Sequence, residues 1–215
     1  MAYDLEEQEQ LASLKNWWNQ FGNLVTWLVI GALAIYAAWS GWNYYQRNQT
    51  AQAGQLYDEM NKALVAKDAP RVLRAATDLR ERYGRTAYAE MGALNAAKIA
   101  FDANDLAGAK AQLQWVADSG RDEAYKALAR IRLAGILLDE KAYEEGLKVL
   151  TADMPPAFAG PAADRRGDLL LAQNKIDEAR AAYRQALDKT DPKSPGRQLI
   201  QLKIDAIGGG AKAAA

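Results

Sequence analysis

The longest apolar stretch of the chain runs from Leu24 to Trp42 and contains no charged residue. At about 1.5 Å of rise per residue, a helix of this length spans about 29 Å, close to the ~30 Å hydrocarbon core of a bilayer. Tryptophans lie at both ends of the stretch and tyrosines at its far end, as in the interfacial belts of membrane proteins. The pattern predicts one transmembrane helix over residues 21–45. The predicted membrane-interface residues are Trp17, Trp18, Trp39, Trp42, Tyr44 and Tyr45.

Two other interpretations of this stretch are open, a cleaved signal peptide and the buried core helix of a soluble domain. Signal peptides combine a basic N-terminal segment with an apolar run of about 7–15 residues. Here the preceding segment is acidic, with Asp4, Glu6, Glu7 and Glu9, and the run is longer. Helices that are apolar all round are rare in small soluble domains. The pattern therefore favours an uncleaved anchor.

Residues 1–20 are predicted to form an amphipathic tail that leads into the anchor. Leu11, Leu14, Trp18 and Phe21 follow one another at spacings of 3, 4 and 3, which places them on one face of a helix. Such a face suits either docking on a membrane partner or burial in the lipid interface, and the sequence leaves both open. Basic residues are balanced on the two sides of the anchor, so charge does not predict its orientation.

Beyond the anchor, the region 46–207 is rich in alanine, with leucine at helical spacing and without the alternation of a strand. Proline and glycine divide it into predicted helices of about 10–18 residues. Four windows share a short polar turn followed by an apolar-striped helix. Their marker residues are 37, 37 and 33 positions apart, a period typical of stacked helix–turn–helix units. The markers are Val72, Ala109, Gly146 and Ala179.

The fourth window resembles a tetratricopeptide repeat. Gly167 stands where the first helix of that repeat needs a small residue, and Ala179 is the small residue of the second helix. Tyr183 and Ala186 follow at the large and small positions that fill the gap to the next unit. The predicted fold is all-α, with one N-terminal transmembrane helix and a tetratricopeptide-like α-solenoid of about four helix pairs. A generic helical bundle is the alternative.

The end of the chain is predicted to close the solenoid. Residues 194–207 form an amphipathic C-terminal capping helix, with Leu199, Leu202 and Ile207 facing the stack. The last residues, 208–215, have too little apolar content to pack and are predicted to be a disordered tail. Prolines and glycine in the segment 153–161 predict a longer loop before the fourth unit.

The amino-acid composition limits the reactions that the chain could catalyse and the partners that it could bind. The chain has no cysteine and no histidine, which excludes Ser–His, Cys–His and histidine–metal mechanisms. Its 27 basic and 27 acidic residues balance, so a nucleic-acid partner is not expected. Asp164 and Asp168 are four residues apart and could share a cation, but a solvated charged face is the ordinary explanation. We predict no catalytic residue, no cofactor and no metal. We therefore expect that the protein is not an enzyme.

A repeat stack offers a curved inner surface lined by the first helix of each unit, and such surfaces hold extended partners. Counting back and forward from Gly167 selects residues of the first helices for this surface. The alternative is that several of them belong to the core. The candidates are Tyr57, Asn61, Leu64, Leu94, Lys98, Phe101, Ile131, Arg132, Asp168 and Leu171.

The entry segment LKNWWNQFG, the single anchor ending in AWSGWNYYQ and the Ala-rich degenerate repeats together resemble the YfgM family of bacterial inner-membrane proteins. The resemblance covers essentially the whole chain. It implies a single-pass protein of the bacterial inner membrane, with the tail 1–20 in the cytoplasm and the repeat domain in the periplasm.

The resemblance also implies a non-catalytic, ancillary role at the SecYEG translocon. The implied partners are the translocon itself, a membrane-anchored periplasmic chaperone (PpiD-like), unfolded or newly translocated polypeptides, and the lipid bilayer. The alternative function is a scaffold for cell-envelope assembly with a few fixed, folded partners. The two hypotheses differ in client range, many transient chains against a few stable proteins.

Overall fold

The structure is a computed structural model that describes the backbone of residues 2–208 and the side chains of residues 9–208. The prediction of a disordered tail over 208–215 therefore falls almost wholly outside the described residues. Within that range the chain forms nine helices and no strand, which confirms the all-α prediction. The helices are α1 (Ala2–Val65), α2 (Ala69–Tyr83), α3 (Ala87–Asp102), α4 (Leu106–Ser119), α5 (Glu123–Asp139), α6 (Tyr143–Val149), α7 (Pro156–Ala172), α8 (Ile176–Lys189) and α9 (Gly196–Ala206).

Contacts divide the chain into two compact units, one ending at Ala51 and one beginning at Gln52. The first unit contains the predicted anchor, which is helical throughout and long and apolar enough to cross a membrane. Its apolar side chains are exposed, with Trp27 at 66% and Ile35 at 73%. A core helix buries such groups, so the core-helix interpretation is wrong. The predicted interface residues are also exposed; their depth in a bilayer remains a prediction.

The second unit is built from helix pairs that share one turn. Two residues after the first helix of each pair ends, one residue has a left-handed backbone conformation. The N–H of the residue that follows it donates a hydrogen bond to the carbonyl five residues earlier, as Asp68 does to Ala63 at 2.9 Å. These turns recur at intervals of 37, 37 and 33 residues, the same intervals as the sequence markers. The prediction of four helix pairs is thereby confirmed. The turn residues are Lys67, Asn104, Lys141 and Asn174.

Small residues let the two helices of a pair approach closely. The markers Val72, Ala109 and Ala179 have no exposed surface. A Cβ atom added to Gly167 of α7 would lie 2.9 Å from Cζ of Tyr183 on α8. Gly167 is a small residue of the first helix, as predicted, and the structure shows that Tyr183 fills the space beside it within the same helix pair.

Two predicted boundaries are wrong. The segment 153–161 is not a long loop, because α7 begins at Pro156 and continues through Pro161. A proline inside a helix normally clashes with the Cβ of the residue before it, but that residue is Gly160. Helix α6 has only 7 residues and is shorter than the predicted range.

Helix α9 caps the last pair as predicted, but its buried face differs from the prediction. Ile200 and Ile204 are buried against α7 and α8, and Ile207 packs beside them. Leu199 and Leu202 are exposed, at 57% and 64%. The apolar residues of α9 cover more than one face, and period counting alone chose the wrong one.

Candidate functional site

A groove of about 420 Å³ opens along the first helices of the second, third and fourth pairs. Its floor is made by small and apolar groups, and Phe101 stands 43% exposed within it. Gly135 has no side chain, so the Arg165 guanidinium lies close to the backbone of α5 at the floor of the groove. A Cβ atom on Gly135 would lie 3.5 Å from Arg165 Cζ. The lining residues are Ala97, Lys98, Phe101, Asp102, Leu113, Arg132, Gly135, Ile136, Asp139 and Arg165.

The two rims of the groove carry opposite charge. Arg132 and Arg165 each lie nine residues before the left-handed turn of their own pair, so they occupy equivalent positions on α5 and α7. Asp102 and Asp139 each lie two residues before such a turn, on the other rim. Lys98 neutralises Asp102 at 2.6 Å. The groove therefore has an apolar floor between a basic and a partly neutralised acidic rim.

The basic rim keeps unused hydrogen-bonding capacity. Arg165 donates from Nη1 to Asp168 at 3.3 Å, but its buried Nε has no partner among the described residues. Arg132 is exposed and makes no ion pair within the described part of the chain. The exposed guanidinium of Arg132 is available to a carboxylate or carbonyl of a bound segment.

The structure brings together three residues of the predicted inner surface, Lys98, Phe101 and Arg132, in this groove. Leu94 is 5% exposed and belongs to the core. Tyr57 packs on the Tyr88 ring, with centroids 5.5 Å apart. The others are partly buried on the same side of the pairs, and whether any of them binds a partner remains a prediction. They are Asn61, Leu64, Ile131, Asp168 and Leu171.

Asp164 and Asp168 are neither a solvated face nor free to share a cation. Lys203 of α9 donates to Asp164 at 2.8 Å and to Asp168 at 2.7 Å. Tyr183 donates its hydroxyl proton to Asp168 at 2.9 Å. This cluster ties α9 to α7 and α8. Sequence reasoning missed it because Lys203 is far along the chain from both aspartates.

Seven of the ten groove residues were missed from the sequence, and three of them share register positions with other pairs: Gly135, Asp139 and Arg165. The signal that finds them is the left-handed turn. Counting back nine, six or two residues from each turn gives equivalent inner-surface positions in every pair.

Alkaline pH is expected to destabilise the repeat domain through Tyr183. Burial, and secondly the Asp168 carboxylate, raise the pKa of Tyr183 above its ordinary value of about 10. The folded state therefore holds the phenol proton when the unfolded chain loses it, and the free energy of unfolding falls as the pH rises above about 10. Tyr183→Phe should remove part of this loss, at a cost of about 1 kcal/mol near neutral pH for the missing hydrogen bond.

The measurement is urea unfolding of the full chain at several pH values. Tyr44→Phe, which changes a 75% exposed tyrosine, is the control and should keep the wild-type slope. Equal alkaline slopes in Tyr183→Phe and wild type would contradict the prediction.

The chain matches known proteins over nearly its full length. A family model described as a tetratricopeptide repeat-like domain matches residues 15–209. The ancillary SecYEG translocon subunit of Neisseria gonorrhoeae is 33% identical, over 96% of this chain and 100% of that protein. The chain belongs to the ancillary SecYEG translocon subunit family.

Other members of the ancillary SecYEG translocon subunit family are more distant. The protein of Escherichia coli K12 is 28% identical over 93% of this chain and 95% of its own length. That of Haemophilus influenzae is 26% identical over 95% and 99%. The resemblance to the YfgM family predicted from the sequence is confirmed. The family name and the apolar N-terminal helix together indicate a single-pass protein of the inner membrane.

Proposed function

We propose that this chain is a membrane-anchored, non-catalytic binding subunit that accompanies the SecYEG translocon. Its N-terminal tail lies in the cytoplasm and its repeat domain in the periplasm, where the groove holds segments of newly translocated polypeptides. A membrane-anchored periplasmic chaperone of the PpiD type works beside it. The observation that carries the proposal is the full-length likeness to ancillary SecYEG translocon subunits, anchor and repeats alike.

The groove has the chemistry that an unfolded segment requires. Its floor offers Phe101, which is 43% exposed, to apolar side chains, and burying one such side chain is worth about 1.5–3 kcal/mol before the costs of association. Charged groups on both rims can meet backbone or side-chain polar groups without selecting one sequence. Weak, sequence-tolerant binding suits a subunit that meets many different chains for a short time.

The anchor supports the membrane part of the proposal. Trp17 and Trp18 lie before the apolar stretch, and Trp42 and Tyr45 lie at its far end with their rings 6.2 Å apart. Aromatic groups at both ends hold a helix at a fixed depth in a bilayer. The exposed face of Leu11, Leu14 and Trp18 then either lies in the lipid interface or contacts a translocon subunit.

Site-specific photo-crosslinking in cells tests the proposal. A photoreactive amino acid replaces Phe101 in the full chain, and a matched variant carries it at Gln185, an exposed residue of α8 outside the groove. Phe101 is expected to capture many different exported polypeptides during their translocation, whereas Gln185 captures few.

Two results would contradict the groove proposal. Equal capture at both positions would show that the groove has no preference for these chains. Capture of one abundant folded envelope protein at Phe101, with no exported precursors, would favour the scaffold function instead.

A further inference from the structure

Helix α9 presents three distinct faces. Its buried face holds Ile200 and Ile204. On the side of α8, Arg197 donates a hydrogen bond to the Thr190 carbonyl at 2.9 Å. Gln201, one helical turn after Arg197, lies on the same side and is exposed. On the side of α7, Lys203 pairs with two aspartates, and the residue one turn before it is the exposed Leu199. Leu199 therefore lies on the side of the first helices, and Leu202, three residues later, is its exposed neighbour on the helix surface.

The backbone after α9 repeats the turn that ends each first helix. Gly208 has a φ of 74°, and its N–H donates to the Asp205 carbonyl at 3.1 Å, as Asn174 donates to Leu171 at 2.8 Å. Gly208 lies 34 residues after Asn174, within the range of the earlier intervals. Helix α9 is accordingly the first helix of a fifth unit.

This register places the leucines on the inner surface. Leu199 lies nine residues before the turn, as Arg132 and Arg165 do on the basic rim. Leu202 lies six residues before it, the position that Gly135 holds in the groove floor. The row of equivalent inner-surface positions that lines the groove thus continues across α7 and ends at the two leucines of α9.

The face of α9 where a further helix would pack is polar. Gln201 lies seven residues before the turn, the position at which Gly167 packs against Tyr183 in the fourth pair. Gln198 lies beside it and is exposed, whereas Asp205 lies three residues before the turn, as Phe101 does. A polar outer face is what terminal repeats of solenoids present to water. End-to-end stacking of a second copy therefore does not account for the leucines.

We infer that Leu199 and Leu202 form a second apolar contact for the ligand of the groove. The inner surface then takes one extended polypeptide segment with apolar side chains at both ends and an acidic side chain between them. This inference rests on the proposed function. The acidic preference follows from Arg132, which lies on the path between Phe101 and Leu199 and makes no ion pair with another described residue, whereas Arg165 and Asp168 on that path pair with each other.

The spacing of the two contacts sets the length of the segment. Neighbouring helix axes lie about 8–10 Å apart, and α9 is three first helices beyond α3, so the apolar ends are separated by about 27 Å. An extended chain advances about 3.3 Å per residue, so about eight residues bridge them.

Peptide binding to the full chain in lipid nanodiscs tests the inference, with fluorescence anisotropy as readout and empty nanodiscs as blank. The bipartite peptide carries an apolar triplet at each end of an eight-residue acidic spacer. A second peptide carries one triplet only, and a third joins two triplets through three residues. Joining two contacts with a spacer of fitting length strengthens binding by about 10²-fold or more, so the bipartite peptide should bind at least tenfold more tightly than either other peptide.

The variant Leu199→Gln/Leu202→Gln should remove that advantage and leave the single-triplet peptide unaffected. The matched control, Gln198→Ala/Gln201→Ala on the polar face of the same helix, should keep it. Equal thermal midpoints of the variants and wild type establish that the fold is intact, as expected for exposed positions.

The outcomes separate the inference from the proposed function. If the leucine variant binds the bipartite peptide as wild type does, while Phe101→Ala weakens all three peptides, the inference is overturned and the groove stands. If a basic spacer binds as well as the acidic one, the acidic preference is overturned. If no peptide binds, or Phe101→Ala changes nothing, the proposed groove function falls together with the inference.

Discussion

Glu90→Ala is expected to lower the free energy of unfolding of the repeat domain by about 3 kcal/mol. Glu90 is only 1% exposed, and its carboxylate accepts hydrogen bonds from the backbone N–H groups of Arg121 at 2.8 Å and Asp122 at 3.3 Å. Those two residues connect α4 to α5. Alanine leaves both donors without their acceptor, and it also frees the start of α5.

Urea unfolding of the full chain, followed by far-UV circular dichroism, measures this loss. Glu123→Ala is the matched control, because that side chain is 61% exposed and, among the described residues, pairs only with Lys126 on the same helix. It should change the free energy by less than about 0.5 kcal/mol. A loss in Glu90→Ala no larger than in the control would show that the loop is held by other contacts.

Gly167→Ala is expected to cost about 2 kcal/mol, although alanine is normally the better helix former. The added methyl group would overlap the ring of Tyr183, which has no exposed surface. That ring cannot move aside, because its hydroxyl is bonded to Asp168 and Lys203 Nζ lies 5.4 Å from its centre. Overpacking of this kind costs about 1–3 kcal/mol or more, against a gain of up to about 1 kcal/mol in helix propensity.

Gly135→Ala is the control for this substitution. Gly135 is also inside a first helix, but its added Cβ would meet Arg165 at an ordinary 3.5 Å. This variant should be neutral or slightly stabilised in the same urea experiment. If both glycine variants were stabilised, close packing of α7 on α8 would not be the reason for glycine at position 167.

Local patterns in the sequence predicted most of the fold. The sequence identifies the markers Val72, Ala109 and Ala179 because the residue packed between the two helices of a pair is small or β-branched in each of these units. The anchor was found because length and polarity are sufficient to define it. Both signals lie within a few turns of the residue concerned.

The groove was only partly predictable, because it depends on contacts between distant segments. Counting along the first helices found Lys98, Phe101 and Arg132, since these lie on one stripe. It did not find Arg165, although this residue stands at the position on α7 that Arg132 holds on α5. It also chose Leu199 and Leu202 for the core, because nothing local indicates that Lys203 turns α9 toward α7.

The recurring left-handed turn has a consequence for how this surface changes in evolution. Each pair is closed by its own backbone hydrogen bonds, so an added pair needs side-chain packing only with its immediate neighbours. Duplication of one unit would lengthen the inner surface by one helix width, about 10 Å, or three residues of an extended ligand. The length of the binding surface therefore depends on the number of repeat units rather than on the chemistry of their side chains.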